Sequence, residues 1–429
     1  MRASSRSGRF GAILATTAVI TLAACGGTGE VGSDDETNGG DSVTLTLTGL
    51  TDQQAAIEAL IEAYKEEEPN VTIQANYAPV DQLQTSLRTQ LGAGNAPDIH
   101  AVWPGQGTAM SVDELTDADL MTELDDPAWL EYVPDNLKPL FGADGKTYMW
   151  APGVSLIGTI YNKQVFEDAN LEIPETWSEL LAAAETLKAA GIAPFAVGNQ
   201  TSWVTQLVVY GIAASTAYTE DPEIAEKMLA GETTFATSGW REVFERYKLL
   251  LDAGYFNDNP NGTSIEQQIN LVASGQAAMA VHVSAVQLQV DAAAEGRAEI
   301  GLFPFPANDE PDGLQIPIGV SVGLGISSGS DHQEEARAFL DFIGDPARMV
   351  EFSKMAALLP FGAQSEEDID PLLRPFAPFL EEGKAVPYMD QKWPNAEIQT
   401  VHFAMIQELV GGQATIDEVL AKLDEAYQK

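Results

Sequence analysis

Residues 43–102 switch repeatedly between two hydrophobic periods, and this constrains the fold more than any other feature of the chain. Residues 43–49 (Val-Thr-Leu-Thr-Leu-Thr-Gly) alternate apolar and polar side chains, the two-residue period of a half-buried strand. Residues 53–67 then place Ile57, Leu60, Ile61 and Tyr64 at helical spacing, and Pro69-Asn70 breaks the helix. Residues 71–75 return to strand character, Asp81 to Leu91 to helix ended by Gly92 and Gly94, and Pro97 to Val102 to strand. Strands that alternate with helices of this length pair in parallel, with the helices as crossovers. The pattern predicts an α/β fold on a mostly parallel sheet covered by helices.

The remainder is helix-rich. Phe141 to Pro152 is a Gly-, Pro- and aromatic-rich passage, followed by a strand at 154–161. Thr176 with Glu179 three residues on is a capping-box start for a helix carrying Leu180, Leu181 and Leu187 and stopping at Gly191. Helices are expected over 202–214, 222–230, 238–253, 264–274 and 331–343. Strand character is expected at 277–283 and in one apolar stretch, 318–326. The tail from Ile398 to Ala426 reads as two helices split by Gly411-Gly412, the second capped by Thr415. There is no internal repeat and no heptad array.

The N-terminus has the organisation of an export signal. Arg2, Arg6 and Arg9 precede an apolar run from Phe10 to Ala24, and no acidic residue occurs before Glu30. Fifteen residues fall short of the roughly 20 that span a bilayer as a helix. The run ends at Leu22-Ala23-Ala24-Cys25, which resembles the lipobox of bacterial lipoproteins. Cys25 is the only cysteine in 429 residues, and Gly26 to Ser42 is a Gly-rich, acidic segment without the apolar content to fold. Residues 1–25 are therefore expected to be a lipoprotein signal, Cys25 a lipidation site and 26–42 a flexible tether. The chain would sit on the extracytoplasmic face of the cell membrane with no protein span. With Cys25 consumed, no disulfide remains.

Composition narrows the function classes. The chain carries 22 Lys and Arg against 64 Asp and Glu; with the three early arginines removed the balance is 19 against 64. Such a surface repels nucleic acid and anionic lipid headgroups. Four scattered histidines, with no His-x-x-x-His or Cys-x-x-Cys spacing, give no sign of a metal site, and no cofactor is implied. No Gly-x-Ser-x-Gly elbow or phosphate-binding loop occurs, and Gly323-Leu324-Gly325 lacks the third glycine of a dinucleotide fingerprint. About 400 residues after the signal exceed one ordinary core and imply two or three domains.

Several short motifs occur in a fixed order. They are Ala96-Pro97-Asp98-Ile99; Tyr161-Asn162-Lys163 leading to Phe166, Pro174, Thr176-Trp177 and Glu179-Leu180; Gly191 to Phe195; Ser274 to Met279; Ala336 to Phe342; and Gly411-Gly412 to Leu423. In this order, behind a lipobox, the chain resembles the family 1 extracellular solute-binding proteins of bacterial ABC importers, particularly the sugar-binding branch. The resemblance runs from about 43 to 426. It implies a two-lobe periplasmic-binding-protein-like fold of type II with the ligand in the cleft between lobes. Lobe one would be 43–152 plus 314–370, and lobe two 153–313 plus 371–429. Crossings would fall near Pro152-Gly153, near 312–317 and within 345–385. It further implies a monomeric, non-enzymatic protein that captures a sugar or oligosaccharide and delivers it to the permease subunits.

A sugar presents apolar C–H faces ringed by hydroxyls, so its site needs aromatic faces and polar edges. Trp103 follows the third strand, where open α/β sheets place ligands. Asp52 and Gln53 follow the first strand. The resemblance adds Trp203, after the polar loop 198–202, and Trp393 with Asp390 in a late loop. It also adds His282, where relatives carry an aromatic platform; its plain alternative is a near-core histidine. Trp177, Trp129, Trp150 and Trp240 are expected to be structural. Rival readings are a binder of another solute such as a polyamine, a secreted glycoside hydrolase, and a purely structural lipoprotein.

Overall fold

The structure is a computed structural model and describes residues 42–429. The expected signal (1–25), Cys25 and, save Ser42, the tether lie outside the described residues.

Twelve strands occur among the described residues: β1 (Val43–Leu50), β2 (Val71–Ala78), β3 (Ile99–Val102), β4 (Met149–Trp150), β5 (Gly153–Asn162), β6 (Ala193–Phe195), β7 (Ala277–Val283), β8 (Ile300–Phe303), β9 (Ile316–Val320), β10 (Gly323–Ile326), β11 (Leu359–Pro360) and β12 (Ala385–Pro387). They form two sheets. One has the order β2-β1-β3-β10-β4. There β1 pairs in parallel with β2 and β3, as the opening alternation of strands and helices requires, whereas β10 runs antiparallel to β3 and β4. The other has the order β12-β9-β5-β7-β6, with β8 and β11 also paired to β5.

The crossover helices Gln54–Glu67 and Val80–Ala93 bury Ile57, Leu60, Leu83 and Leu87 against the first sheet. The second of them ends on Gly94, whose φ of 70° is a left-handed cap that costs glycine nothing. Helix Gln206–Ala214 packs on the second sheet, and behind it helices Trp240–Asp252, Ala396–Val410 and Ile416–Tyr427 pack on it and on one another around Trp240, Phe244, Tyr247, Ile406, Leu420 and Leu423. The Thr176 capping box forms as expected. The Glu179 amide donates to the Thr176 hydroxyl (3.2 Å), and the Thr176 amide donates to the Glu179 carboxylate (3.2 Å).

One expected element divides. The apolar stretch 318–326 is not a single strand. Its first part lies in β9, paired with β5 in the second sheet, and its last four residues form β10 in the first sheet. Ser321 and Val322 make the step between them. Gly323 lets the chain run tight against Trp150, whose carbonyl oxygen would lie 1.8 Å from a Cβ there. A continuous apolar run cannot distinguish one buried strand from two in different sheets.

Candidate functional site

A cavity of about 180 Å³ is lined by elements of both sheets. From the first sheet come the turn after β1 and the loop after β3, both at carboxyl ends of parallel strands. From the second come Ser155 on β5, the turn and helix 202–214, and the loop after β12. Ser321 and Val322, the step between β9 and β10, also line it.

Each expected residue can be placed. Asp52, Gln53, Trp103, Trp203 and Asp390 all line the cavity; Trp393 and His282 do not. Gln53 is buried, and its side-chain amide donates to the Val322 carbonyl (2.9 Å), tying the turn after β1 to the step between sheets. Trp103 is half-buried. Its amide donates to the Met110 carbonyl (3.0 Å), and its carbonyl accepts from the Val112 amide (2.8 Å), so the loop from 103 to 112 closes on itself and fixes the ring. Trp203 is half-buried in the 3-10 turn Ser202–Thr205.

Asp390 sits in the 3-10 turn Met389–Lys392 and is buried. One carboxylate oxygen accepts from the Gln399 side chain (2.7 Å), and the other has no hydrogen-bond partner. The Tyr210 hydroxyl lies close enough to influence this carboxyl but outside hydrogen-bonding geometry. Burial pushes the Asp390 carboxyl up to about 6, opposed by its hydrogen bonds. The Asp52 carboxyl, beside the cavity, is pushed up to about 6 by the protein packed around it. Water still reaches its side chain, so the energetic weight of that shift is smaller than for Asp390.

Trp393 is a correction. It was expected to face the ligand, but it is only 3% exposed and packs edge-on against Tyr210 (6.2 Å between ring centroids), Phe235 (6.2 Å) and His402 (5.5 Å). Since Tyr210 lines the cavity, Trp393 stands one layer behind the wall. His282 is corrected likewise: it is fully buried on β7, with its ring 5.2 Å from that of Trp203 in a T-shaped contact. Its Nδ1 accepts from the Val283 amide (2.9 Å). Burial pushes its pKa down to about 3, so the ring is a neutral prop for Trp203.

Sequence reasoning missed most of the polar wall: Ser155, Gln206, Tyr210, Ser321, Tyr388, Gln391 and Gln399. A signal existed for two of them. Helix Gln206–Ala214 is buried at every position, and its only strongly polar side chains, Gln206 and Tyr210, are four apart and so share a face. Polar groups aligned on one face of a fully buried helix need a polar destination.

The buried side-chain atoms Gln206 Oε1, Tyr210 Oη, Ser321 Oγ, Tyr388 Oη, Asp390 Oδ1 and Gln391 Oε1 all belong to lining residues, and none has a hydrogen-bond partner. With the rings of Trp103, Trp203 and Phe403 they make a site of aromatic faces and unmet polar groups. Among the described residues no Lys, Arg or His lines it, and no cluster of side chains suited to a metal ion occurs. A cavity lined from two sheets of a mixed α/β fold is the arrangement of the two-lobed solute-binding class.

Comparison with known proteins bears this out. The sequence profile of the bacterial extracellular solute-binding protein family matches residues 48–376, and the chain belongs to that family. It is 24% identical over 362 residues to a multiple sugar-binding protein of Streptococcus mutans, covering 82% of this chain and 83% of that one. It is 30% identical over 335 residues to an osmoprotective compounds-binding protein of Synechocystis, covering 70% and 71%. Among solved structures, the binding protein RafE in complex with raffinose superposes with a TM-score of 0.73 at 18% identity, covering 90% of this chain and all of that one. These relatives are binding proteins. No helix among the described residues is long and apolar enough to cross a membrane.

Proposed function

We propose that this chain is the capture subunit of an ABC importer and binds a sugar in the cavity at the junction of its two sheets. The observation that carries this reading is the pairing, in one small cavity, of aromatic faces with uncharged polar and carboxylate side chains and no cationic one among the described residues. Hydroxyl-rich rings satisfy both at once. The sugar ligands named for the S. mutans relative and for the raffinose complex support the same reading.

Two lobes, one on each sheet, would close around the ligand because contacts to both are made only when they are shut. Lobe one would hold 43–152 and lobe two would begin at 153, as the sequence motifs suggest. Since β9 pairs with β5, the return to lobe one is best drawn at Ser321-Val322, and the pairing of β12 with β9 favours assigning the tail from about 371 to lobe two. Capture and release need no covalent step; in this reading the protein is a binder and not an enzyme, and acts as a monomer.

The test is a thermal-shift series on the purified chain with neutral sugars, polyamines and amino acids. A ligand that binds only the folded state, at about 100 times its Kd, adds roughly 2.7 kcal/mol. A sugar-specific shift, lost in both Trp103→Ala and Trp203→Ala, is expected. A shift with a polyamine alone would reassign the ligand, and release of shorter products from an oligosaccharide would make the protein a hydrolase.

Export and a lipid anchor at Cys25 complete the proposal, supported by the basic start, the apolar run and the sole cysteine. Cys25→Ser should move the protein from the membrane fraction to the medium or periplasm. A variant that stays membrane-bound would remove the anchor from the account.

A further inference from the structure

The shape of the cavity carries more than its chemistry. Resting on the sugar reading above, we propose that the site takes one neutral sugar ring, so that the preferred ligand is a monosaccharide.

The first observation is size. The space is about 180 Å³. An apolar cavity of about 150 Å³ is filled by one benzene ring, so this one suits a single six-membered ring with its substituents. A raffinose-sized ligand needs several times as much.

The second observation is a shut wall. The loop after β3 and the loop after β12 both line the cavity, and they meet main chain to main chain. A Cβ on Gly105 would lie 2.3 Å from the Gln391 carbonyl oxygen, and one on Gly107 would lie 1.8 Å from that of Asp390. Gly105, at φ 70°, is also in a conformation that favours glycine. A second ring extending past Trp103 and Asp390 would have to part these two backbones.

The third observation is the polar complement. The polar side chains of Gln206, Tyr210, Ser321, Tyr388, Asp390 and Gln391 are grouped on the wall built from helix 206–214, Ser321 and the loop after β12, enough to serve the hydroxyls of one ring. No cationic side chain among the described residues lines the wall, while Asp52, Asp81 and Asp390 do. Uronates and sugar phosphates would meet carboxylates with no counter-charge.

The experiment measures Kd on the purified full chain, by calorimetry, for three matched series: glucose, maltose and maltotriose; galactose, melibiose and raffinose; xylose, xylobiose and xylotriose. Glucuronate and glucose 6-phosphate are added. The expected result is that the tightest ligand is a monosaccharide, at least tenfold tighter than its own trisaccharide, and that neither anion binds. Tyr388→Phe, which removes one hydroxyl from the cavity wall, should weaken that monosaccharide about threefold to tenfold. A disaccharide or longer sugar as tightest ligand, an anion that binds, or an unchanged Kd in Tyr388→Phe overturns the inference and leaves the sugar reading standing. No binding by any sugar overturns both.

Discussion

Asp390→Asn is expected to make the protein more stable at pH 7.5 and a poorer binder. The two effects have one cause. The folded state holds the Asp390 carboxyl near 6, against 3.8 for the ordinary group, because burial penalises its charged form. The folded chain therefore holds this proton more tightly than the unfolded chain. Relative to the protonated carboxyl there is no penalty below about pH 4; the penalty grows as pH rises through about 6 and reaches about 3 kcal/mol at most at neutral pH. Asparagine keeps an oxygen for the Gln399 side-chain amide and carries no charge to bury.

Urea unfolding at pH 4.5, 6 and 7.5 should show the variant gaining on the parent as pH rises. Asp52 titrates in the same range in both proteins, so the difference between them isolates Asp390. The binding loss follows from the other oxygen, which is buried at the cavity with no partner. Replacing a charged acceptor by an amide should weaken a hydroxyl-bearing ligand by about tenfold or more. If the variant were less stable at pH 7.5, the carboxylate would be contributing to the fold. If it bound equally well, the free oxygen would not face the ligand.

Trp393→Ala should be costly in a different currency: stability. The ring is nearly inaccessible and holds Tyr210, Phe235 and His402 in edge-on contact. Removing a buried tryptophan costs about 3–5 kcal/mol, through lost transfer energy and the cavity left behind. The same substitution at Trp203, half-buried on the cavity wall, should cost far less stability and most of the affinity. Denaturation midpoints and Kd values for the two variants check this contrast. A Trp393→Ala protein that unfolds at the parent's urea concentration but no longer binds would put Trp393 back in the site.

The sequence was legible where local periods carry the information. The alternation of strand and helix over 43–102, the capping box at Thr176, the cap at Thr415 and the strand at 277–283 all form as read. It was less legible where a decision depends on distant partners. The stretch 318–326 is apolar throughout, and only pairing with β5 on one side and β3 on the other divides it. In the site, residues at strand ends were predictable from topology, and Asp52, Gln53 and Trp103 do line the cavity. Trp393 was expected at the ligand because the resemblance implies a cleft-facing aromatic in this late loop, whereas here His402 of the helix 396–410 and Phe235 pack over it. Asp390, three residues earlier, faces the cavity. The partnerless oxygens on Ser321, Tyr388 and Gln391 give no sequence signal of their own, since serine, tyrosine and glutamine occur on any surface.

Strand β5 has a consequence for the order of events in synthesis. Its ten residues are all buried, and they pair with β7, β8, β9 and β11, which lie between residues 277 and 360. None of these partners exists when the ribosome finishes residue 162. Closing loops of this length is entropically slow, and non-local pairing is the slow part of folding. The second sheet cannot be completed until most of the chain has been made, and until then the central strand has nothing to pair with. Under the export proposed above, the chain must remain unfolded while it crosses a membrane, and a sheet whose middle is laid down long before its neighbours would supply that delay from its own topology.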